Sequence, residues 1–135
     1  MGKRSTGRRI AMQALYEAEL GGSDVDEALG HIFESESFIE ETKEFARGLA
    51  QGAWREKNDT DKTIGALSRA WAIERLADVD KSILRLAIFE LKNNKETPVS
   101  VVINEAVELA KKFSGEESSK FINGILGALL KSQNL

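Results

Sequence analysis

The residues best suited to binding chemistry stand at the start of the chain, where cations are dense and acids are absent. Residues 1–16 contain no Asp or Glu, and their four cations are Lys3, Arg4, Arg8 and Arg9. If this segment is helical, Arg9, Gln13 and Tyr16 share one polar and aromatic face. This combination is typical of proteins that bind single-stranded RNA, because cations contact phosphates and rings stack on bases. The alternative is a solvated basic tail with Tyr16 half-buried.

A second pair of a cation and a ring lies near the other end of the chain. Apolar residues recur at helical spacing over 122–130, and their stripe is centred near Ile122. Phe121 falls roughly 100° to one side of that centre, and Lys120 lies farther out. Phe121 is therefore a candidate to stack on a base, with packing into a neighbouring helix as the alternative.

The sequence provides little for catalysis or metal binding. The chain has no Cys and only one His, His31, so thiolate sites and multi-histidine sites are excluded. Gly21-Gly22 lacks the flanking strand and Lys-Ser of a phosphate-binding loop. Glu36, Glu40 and Glu44 follow at intervals of four, but they have no Glu-x-x-His partner and indicate a solvated helix face. We therefore predict no catalytic site, no metal and no cofactor.

The net charge of −3 conceals a strong separation of charge along the chain. Residues 17–46 hold ten acids against Lys43 alone, a net charge of −9, whereas residues 47–135 carry +2. A basic end on an acidic body indicates a local contact with a negative partner. No apolar run approaches the roughly 18 residues of a membrane span, and the N-terminus lacks the apolar core of a signal peptide. We expect a cytoplasmic protein with no membrane partner.

The pattern of apolar residues predicts an all-α protein of six to seven helices. The chain has one proline, and apolar residues are spaced three and four apart throughout. The predicted N-terminal helices begin near Ser5 or Thr6, after a cap at Asp24, and near Glu36. Gly48 and Gly52 predict a close approach of another helix.

The stretch 58–61 reads as a break and a new cap. We therefore predict a single domain over residues 1–135, with an N-terminal helical subdomain at 1–57 and a C-terminal one at 58–135. Later helices are predicted to begin near Asp78, at Pro98 and near Ser118. The helix after Pro98 is expected to bury an apolar set formed by Val99, Val102, Ile103, Ala106, Ala110 and Phe113.

Several blocks of the sequence together resemble the NusB transcription antitermination family. They follow in order over nearly the whole chain, and the Asn-Glu-Ala and Phe-Ile-Asn-Gly motifs are specific when they occur together. The matching blocks are Arg8 with 13–16, 71–76, 80–91, 98–99, 103–111 and 119–126.

The resemblance implies two packed helical bundles and an RNA-binding function, and it also implies that the protein is not an enzyme. Such proteins bind the boxA segment of RNA jointly with the small-subunit ribosomal protein NusE, within RNA polymerase elongation complexes that contain other Nus factors, notably during ribosomal RNA synthesis. The implied RNA surface joins the N-terminal cations Lys3, Arg4, Arg8 and Arg9 to Arg85, Lys120 and Phe121. The implied surface for the partner protein includes Tyr16, Glu74 and Asp80, and a homodimer is also possible.

The chain departs from the family pattern at its N-terminus. Ser5-Thr6-Gly7 lowers the density of cations in this segment. Arg9 stands where many relatives have an acid, so either Arg8 or Arg9 is the candidate phosphate contact. Arg85 either contacts RNA or pairs with Asp78 or another acid across a helix interface.

Four other matched residues favour a structural role. Trp71 is expected in the core. Hydrogen bonds between helices are expected for the polar residues Asn104, Glu105 and Asn123.

Three other functions are compatible with the same residues. The chain could be a protein–protein scaffold with an incidental basic tail. It could be a helical module that recognises RNA during ribosomal RNA maturation without antitermination, for example alongside a methyltransferase. A helix-turn-helix that binds DNA is disfavoured because no helix has a basic recognition face.

Overall fold

The computed structural model describes residues 2–68 and 76–132, and within these ranges all regular structure is helical. This confirms the predicted all-α class, and the seven helices within the described ranges agree with the predicted six to seven. The seven helices are α1 (Lys3–Glu19), α2 (Val25–Ser35), α3 (Glu40–Arg55), α4 (Lys57–Ser68), α5 (Asp78–Asn93), α6 (Val99–Phe113) and α7 (Glu116–Ser132). Within the described ranges, no helix is long and apolar enough to cross a membrane.

Helices α1, α2 and α3 pack together at the N-terminal end of the chain. The backbone amide of Glu27 donates to the side chain of Asp24, which confirms the predicted cap of α2. Helix α1 approaches α3 closely at Gly7, where a Cβ atom would lie 2.6 Å from Cδ2 of Phe45. Glycine at this position therefore lets the Phe45 ring lie directly on the backbone of α1.

Helix α5 is the centre of the fold, since it packs against α1, α3, α4, α6 and α7. Its residues 80–88 are all buried. A Cβ atom on Gly52 would lie 2.0 Å from Cζ of Phe89, so the predicted close approach at this glycine is confirmed for α3 and α5. Gly48 has no neighbour within 4 Å of such an atom, and the prediction was wrong there.

Helix α6 buries a narrower face than its sequence predicts. Val102, Ala106 and Ala110 are buried against the rest of the core as expected. Val99 and Phe113, at the two ends of α6, are 40% and 37% exposed, so their predicted burial is corrected. Both lie at an end of α6, where less of the surrounding protein covers them than covers its middle.

Helix boundaries differ from the prediction in the linker regions. The break after α3 is the single residue Glu56, and Asn58 already lies in α4, where Asp59 occupies the first turn beside the positive end of the helix. Pro98 precedes α6 as its N-cap rather than forming its first residue. Trp71, for which we predicted a place in the core, lies outside the described residues. The subdomain boundary between 57 and 58 stays a prediction.

Candidate nucleic-acid interface

In the part of the chain that the structure describes, two arginines at the basic end of α1 have no acidic partner. The guanidinium of Arg4 is exposed and lies 4.6 Å from the centroid of the Phe45 ring. Arg9 donates only to the neutral side chain of Gln13, at 3.2 Å. Within the described ranges neither arginine has a carboxylate at ion-pair distance, so both positive charges remain available to a ligand.

Lys3 also lies on the surface, but an acid of α3 accompanies it. Its Nζ is 3.3 Å from the carboxylate of Glu41, and both side chains are largely exposed. An ion pair of this kind is worth about 0–1 kcal/mol because water and salt screen it. An approaching phosphate can therefore compete with Glu41 for Lys3.

Arg8, in contrast to Lys3, is not exposed to an approaching phosphate, which corrects the prediction that it is a surface contact. The residue is 3% exposed, and its Nε and Nη2 donate to the two oxygens of Glu90 at 2.8 and 2.6 Å. A third nitrogen, Nη1, lies 3.5 Å from Glu105 of α6. Burial acts to lower the pKa of the guanidinium, but the hydrogen bond and charge of Glu90 outweigh it, so the pKa is raised. Arg8 therefore fastens α1 to α5 and α6.

Arg85 also lies in a buried ion pair. Of its two predicted roles, RNA contact and pairing with an acid across a helix interface, the structure shows the second. It is 4% exposed and forms a two-pronged contact with Asp61 of α4 at 2.9 and 2.7 Å, while Nη1 donates to Glu19 at 2.6 Å. Burial acts to lower the pKa of Arg85, but these two carboxylates raise it overall. The acids are Asp61 and Glu19, whereas Asp78 contacts Lys81 instead.

Two residues of Ser5-Thr6-Gly7, the segment that separates the N-terminal cations, help to pack α1 against its neighbours. Ser5 donates a hydrogen bond from its hydroxyl to Glu105 of α6. Gly7 provides the space for Phe45, whose ring also lies 5.3 Å from the guanidinium of Arg8. Ser5 and Gly7 thus place α1 against two neighbours, and Phe45 holds Arg4 by a cation–π contact.

Lys120 and Phe121 lie on a different helix, and their contacts do not join them to the N-terminal cations. Lys120 is exposed at the start of α7, while Phe121 is half-buried and packs against the core. Helices α1 and α7 both pack against α5 and α6, and no hydrogen bond or ion pair joins the two in the part of the chain that the structure describes. The RNA roles of both residues stay predictions.

The polar residues of the family motifs divide into two groups. Glu105 makes the expected interhelical contacts, with Ser5 and Arg8. Asn104 and Asn123 are exposed, so the predicted interhelical hydrogen bonds were wrong for both. Each lies on the side of its helix that faces away from the core.

The residues predicted to contact a partner protein differ in how exposed they are. Tyr16 is half-buried on α1. Asp80 is 8% exposed, and its Oδ2 accepts a hydrogen bond from Ser118 at 2.9 Å, which ties α5 to α7. Glu74 lies outside the described residues. Asp80 is thus largely covered, whereas Tyr16 retains part of its surface for a partner.

The acidic residues considered for metal binding do not share a helix. Glu36 lies in extended backbone after α2, whereas Glu40 and Glu44 belong to α3 and pair with Lys43 and Arg47 of the same helix. All three glutamates are exposed. Across residues 2–68 and 76–132, no group of three or more His, Asp or Glu side chains is arranged to hold a metal ion.

Comparison with known proteins places this all-helical chain in a family. A profile of the NusB family matches residues 5–131. The chain belongs to the NusB family. Transcription antitermination protein NusB of Symbiobacterium thermophilum is 40% identical over 136 aligned residues, with 95% of this chain and 89% of that protein covered. The NusB of Desulforamulus reducens is 41% identical, with 99% and 93% covered.

Solved NusB structures have the same architecture. A NusB of T. maritima is 33% identical and superposes with a TM-score of 0.88, covering 97% of this chain and 92% of that chain. A chain in the crystal structure of the antitermination factors NusB and NusE in complex with double-stranded RNA is 30% identical, with a TM-score of 0.87. The coverage in that case is 96% of this chain and 97% of that chain.

Two residues of this NusB-family chain that organise the basic end were missed from the sequence. Phe45 was not singled out as a neighbour of the basic segment, and Glu90 was not connected with Arg8. Glu90 carried a usable signal, because an acid among the apolar residues of a buried helix needs a cationic partner. Phe45 carried none, since helical periodicity does not tell which helix a ring faces.

Proposed function

We propose that this chain is a transcription antitermination factor that binds single-stranded, boxA-like RNA together with the ribosomal protein NusE. It would act in an RNA polymerase elongation complex with other Nus factors, notably during ribosomal RNA synthesis. Support comes from the NusB relatives, which carry the name transcription antitermination protein. Further support comes from the similar chain in a structure of NusB and NusE with RNA.

The observation that carries the proposal is the free charge of Arg4 and Arg9. A cation near the start of α1 can be neutralised by an ion pair inside the protein, as Arg8 is. Arg4 and Arg9 instead remain without a carboxylate partner in the described ranges, about a turn and a half apart on one helix. Phosphates of a single strand are the partners that such cations take, with an affinity that depends on salt.

The acidic body of the chain fits a basic partner protein. Residues 17–46 carry a net charge of −9, and exposed acids occur on both α2 and α3. Complementary charge speeds association and orients the partner. We assign the exposed acids of α2 and α3 to NusE, and roles for Tyr16, Glu74 and Asp80 in that contact stay predictions.

The test is equilibrium binding of short labelled RNAs at two salt concentrations, with and without NusE. The expected result is weak binding alone and tighter binding with NusE, with a boxA-like strand preferred over a scrambled strand of equal length. A duplex of the same sequence separates single-stranded from double-stranded recognition and is expected to bind less tightly. Equal affinity for boxA-like and scrambled strands in the presence of NusE would refute the proposed RNA specificity.

A pure protein scaffold is the second candidate, favoured by the burial of Arg8 and by the ion pair of Lys3 with Glu41. Deletion of residues 1–9 would not separate the two functions, because it also removes the buried Arg8. The double substitution R4Q/R9Q leaves the buried contacts intact. A scaffold would retain NusE binding and read-through of a terminator in reconstituted transcription with this variant, whereas an RNA-binding antitermination factor would lose read-through.

A further inference from the structure

A groove runs between α1 and α6, and two adjoining cavities mark its length. Ser5 and Glu105 line both cavities, so the two lie side by side. The cavity toward the C-terminal end of α6 has a volume of about 300 Å³ and is bordered by Arg9, Lys112 and Phe113. We call this cavity the α1–α6 pocket. It adjoins the basic end of α1, because Arg9 belongs to both.

Cations and carboxylates both border the α1–α6 pocket. Within the described ranges, Arg9 and Lys112 have no carboxylate at ion-pair distance. The two acids of the wall are already paired. Glu105 is bound by side chains of α1, and Glu108 lies 3.6 Å from Lys111. These pairs leave the acids part of their charge, because Arg8 is shared with Glu90 and the Glu108–Lys111 pair is exposed. The pocket therefore offers cations to a phosphate and carboxylate acceptors to a base.

The pocket also contains an exposed ring and apolar surface. Phe113 is 37% exposed although its sequence position predicts burial, and the buried Leu109 lies beside it. The Nζ of Lys112 is 5.5 Å from the centroid of the Phe113 ring. A flat apolar face beside free cations matches a nucleotide, whose base stacks on rings while its phosphate attracts cations.

We propose that the α1–α6 pocket binds one unstacked nucleotide of the RNA, with its base against Phe113 and its phosphate at Arg9 and Lys112. The proposal rests on the proposed RNA-binding function and adds a base subsite to it. Lys112 and Phe113 then extend the RNA surface from α1 onto α6, with Glu105 and Glu108 as walls that can accept hydrogen bonds from the amino group of a base.

The experiment replaces each base of a short boxA-like RNA in turn by the fluorescent base 2-aminopurine and titrates the full chain with NusE present. Stacking quenches the fluorescence, so one position is expected to be quenched through Phe113. F113L should abolish the quenching at that position, because leucine preserves apolar bulk but has no ring, and F113Y should retain it. Loss of the stack should also weaken binding about 5- to 150-fold, as expected for one base.

The controls use exposed positions, so that folding is not at stake. V99A removes an exposed apolar side chain on the same helix, outside the lining of the pocket, and should change neither fluorescence nor affinity. K112Q should reduce the salt slope of log K by about 0.7. Thermal melts of all variants should match the wild type.

Two results would overturn the subsite, and they are distinguishable from failure of the function itself. If anisotropy shows that wild type and F113L bind RNA equally and no position changes its quenching, the subsite is wrong while RNA binding stands. If F113L weakens NusE binding but leaves RNA binding unchanged, the pocket is a protein contact. If the wild type with NusE binds no RNA at all, the proposed function and the subsite both fail.

Discussion

Replacing Glu90 by Gln tests the reassignment of Arg8 from the RNA surface to the interior. The substitution keeps the size of the side chain but removes the charge opposite a guanidinium that is 4% exposed at its side chain. Gln can accept one of the two hydrogen bonds, at 2.8 and 2.6 Å, that Glu90 accepts. Its amide NH₂ then faces another donor of Arg8, so one buried N–H loses its partner.

The magnitude follows from the partners that Arg8 keeps. Removal of one member of a buried ion pair costs about 3–5 kcal/mol. Glu105 remains at 3.5 Å and continues to offset part of the charge, so the lower end, about 3 kcal/mol, is expected for E90Q. For a domain of this size that loss corresponds to a fall in Tm of about 10 °C.

The assay is urea unfolding followed by circular dichroism, with E41Q as a matched control. Glu41 also pairs with a cation of α1, but that pair is exposed, so E41Q should change the free energy of unfolding by less than about 0.5 kcal/mol. If E90Q destabilises the chain no more than E41Q does, the buried Arg8–Glu90 pair does not hold α1 as described.

A double variant separates the structural role of Arg8 from a role in RNA binding. R8M/E90L replaces the ion pair by apolar side chains of similar size, an exchange that is often neutral or stabilising. Because the free cations Arg4 and Arg9 are untouched, R8M/E90L should bind RNA with the salt slope of the wild type. A slope reduced by about 0.7 would show that Arg8 itself contacts a phosphate and would refute the reassignment.

Two further predictions concern packing and pH. Gly52→Ala should lower the free energy of unfolding by about 1–3 kcal/mol, because the new methyl group meets the Phe89 ring. Gly48→Ala has open space around it and should raise the free energy of unfolding by about 0.5–1 kcal/mol. Equal effects of the two substitutions in urea unfolding would contradict the close contact at Gly52. Burial acts to raise the pKa of Glu19, but its hydrogen bonds with Arg85 and other partners lower it below the ordinary 4.5. The stability that Glu19 adds relative to E19Q should therefore be complete above that ordinary value and disappear as the pH falls through the lowered pKa, and a difference that does not shrink in unfolding curves taken between pH 7 and 3 would argue against it.

The order and character of the helices could be predicted from the sequence because both depend on local information. Apolar spacing identifies α5 as a helix with a buried apolar stripe, although its polar residues are buried as well, and Asp24 is a cap that needs only its own helix. Predicted and observed boundaries differ where several polar residues follow one another, as at Asn58, which the sequence presents as a break and the structure places in α4. Several polar residues in succession also suit the first turn of a helix, and packing selects between the two.

The site was harder to predict because its residues are defined by partners far away in sequence. Arg8 and Glu90 are 82 positions apart, and no residue close to Arg8 in the sequence indicates that it pairs with a buried carboxylate. The same holds for Arg85 with Asp61 and Glu19. Periodicity assigns a residue to a face of its helix but does not say which neighbouring helix covers that face. Charge counting therefore found the basic end and could not separate its free cations from its buried ones.

The measurement that tests the account most directly is the salt dependence of RNA binding by the wild type and by R4Q/R9Q, each in complex with NusE. If the two free arginines each contact a phosphate of a single strand, the slope of log K against log salt should fall by about 1.4 in the double variant, while its Tm stays that of the wild type. An unchanged slope with intact NusE binding would contradict the claim that the unpaired cations of α1 bind the RNA.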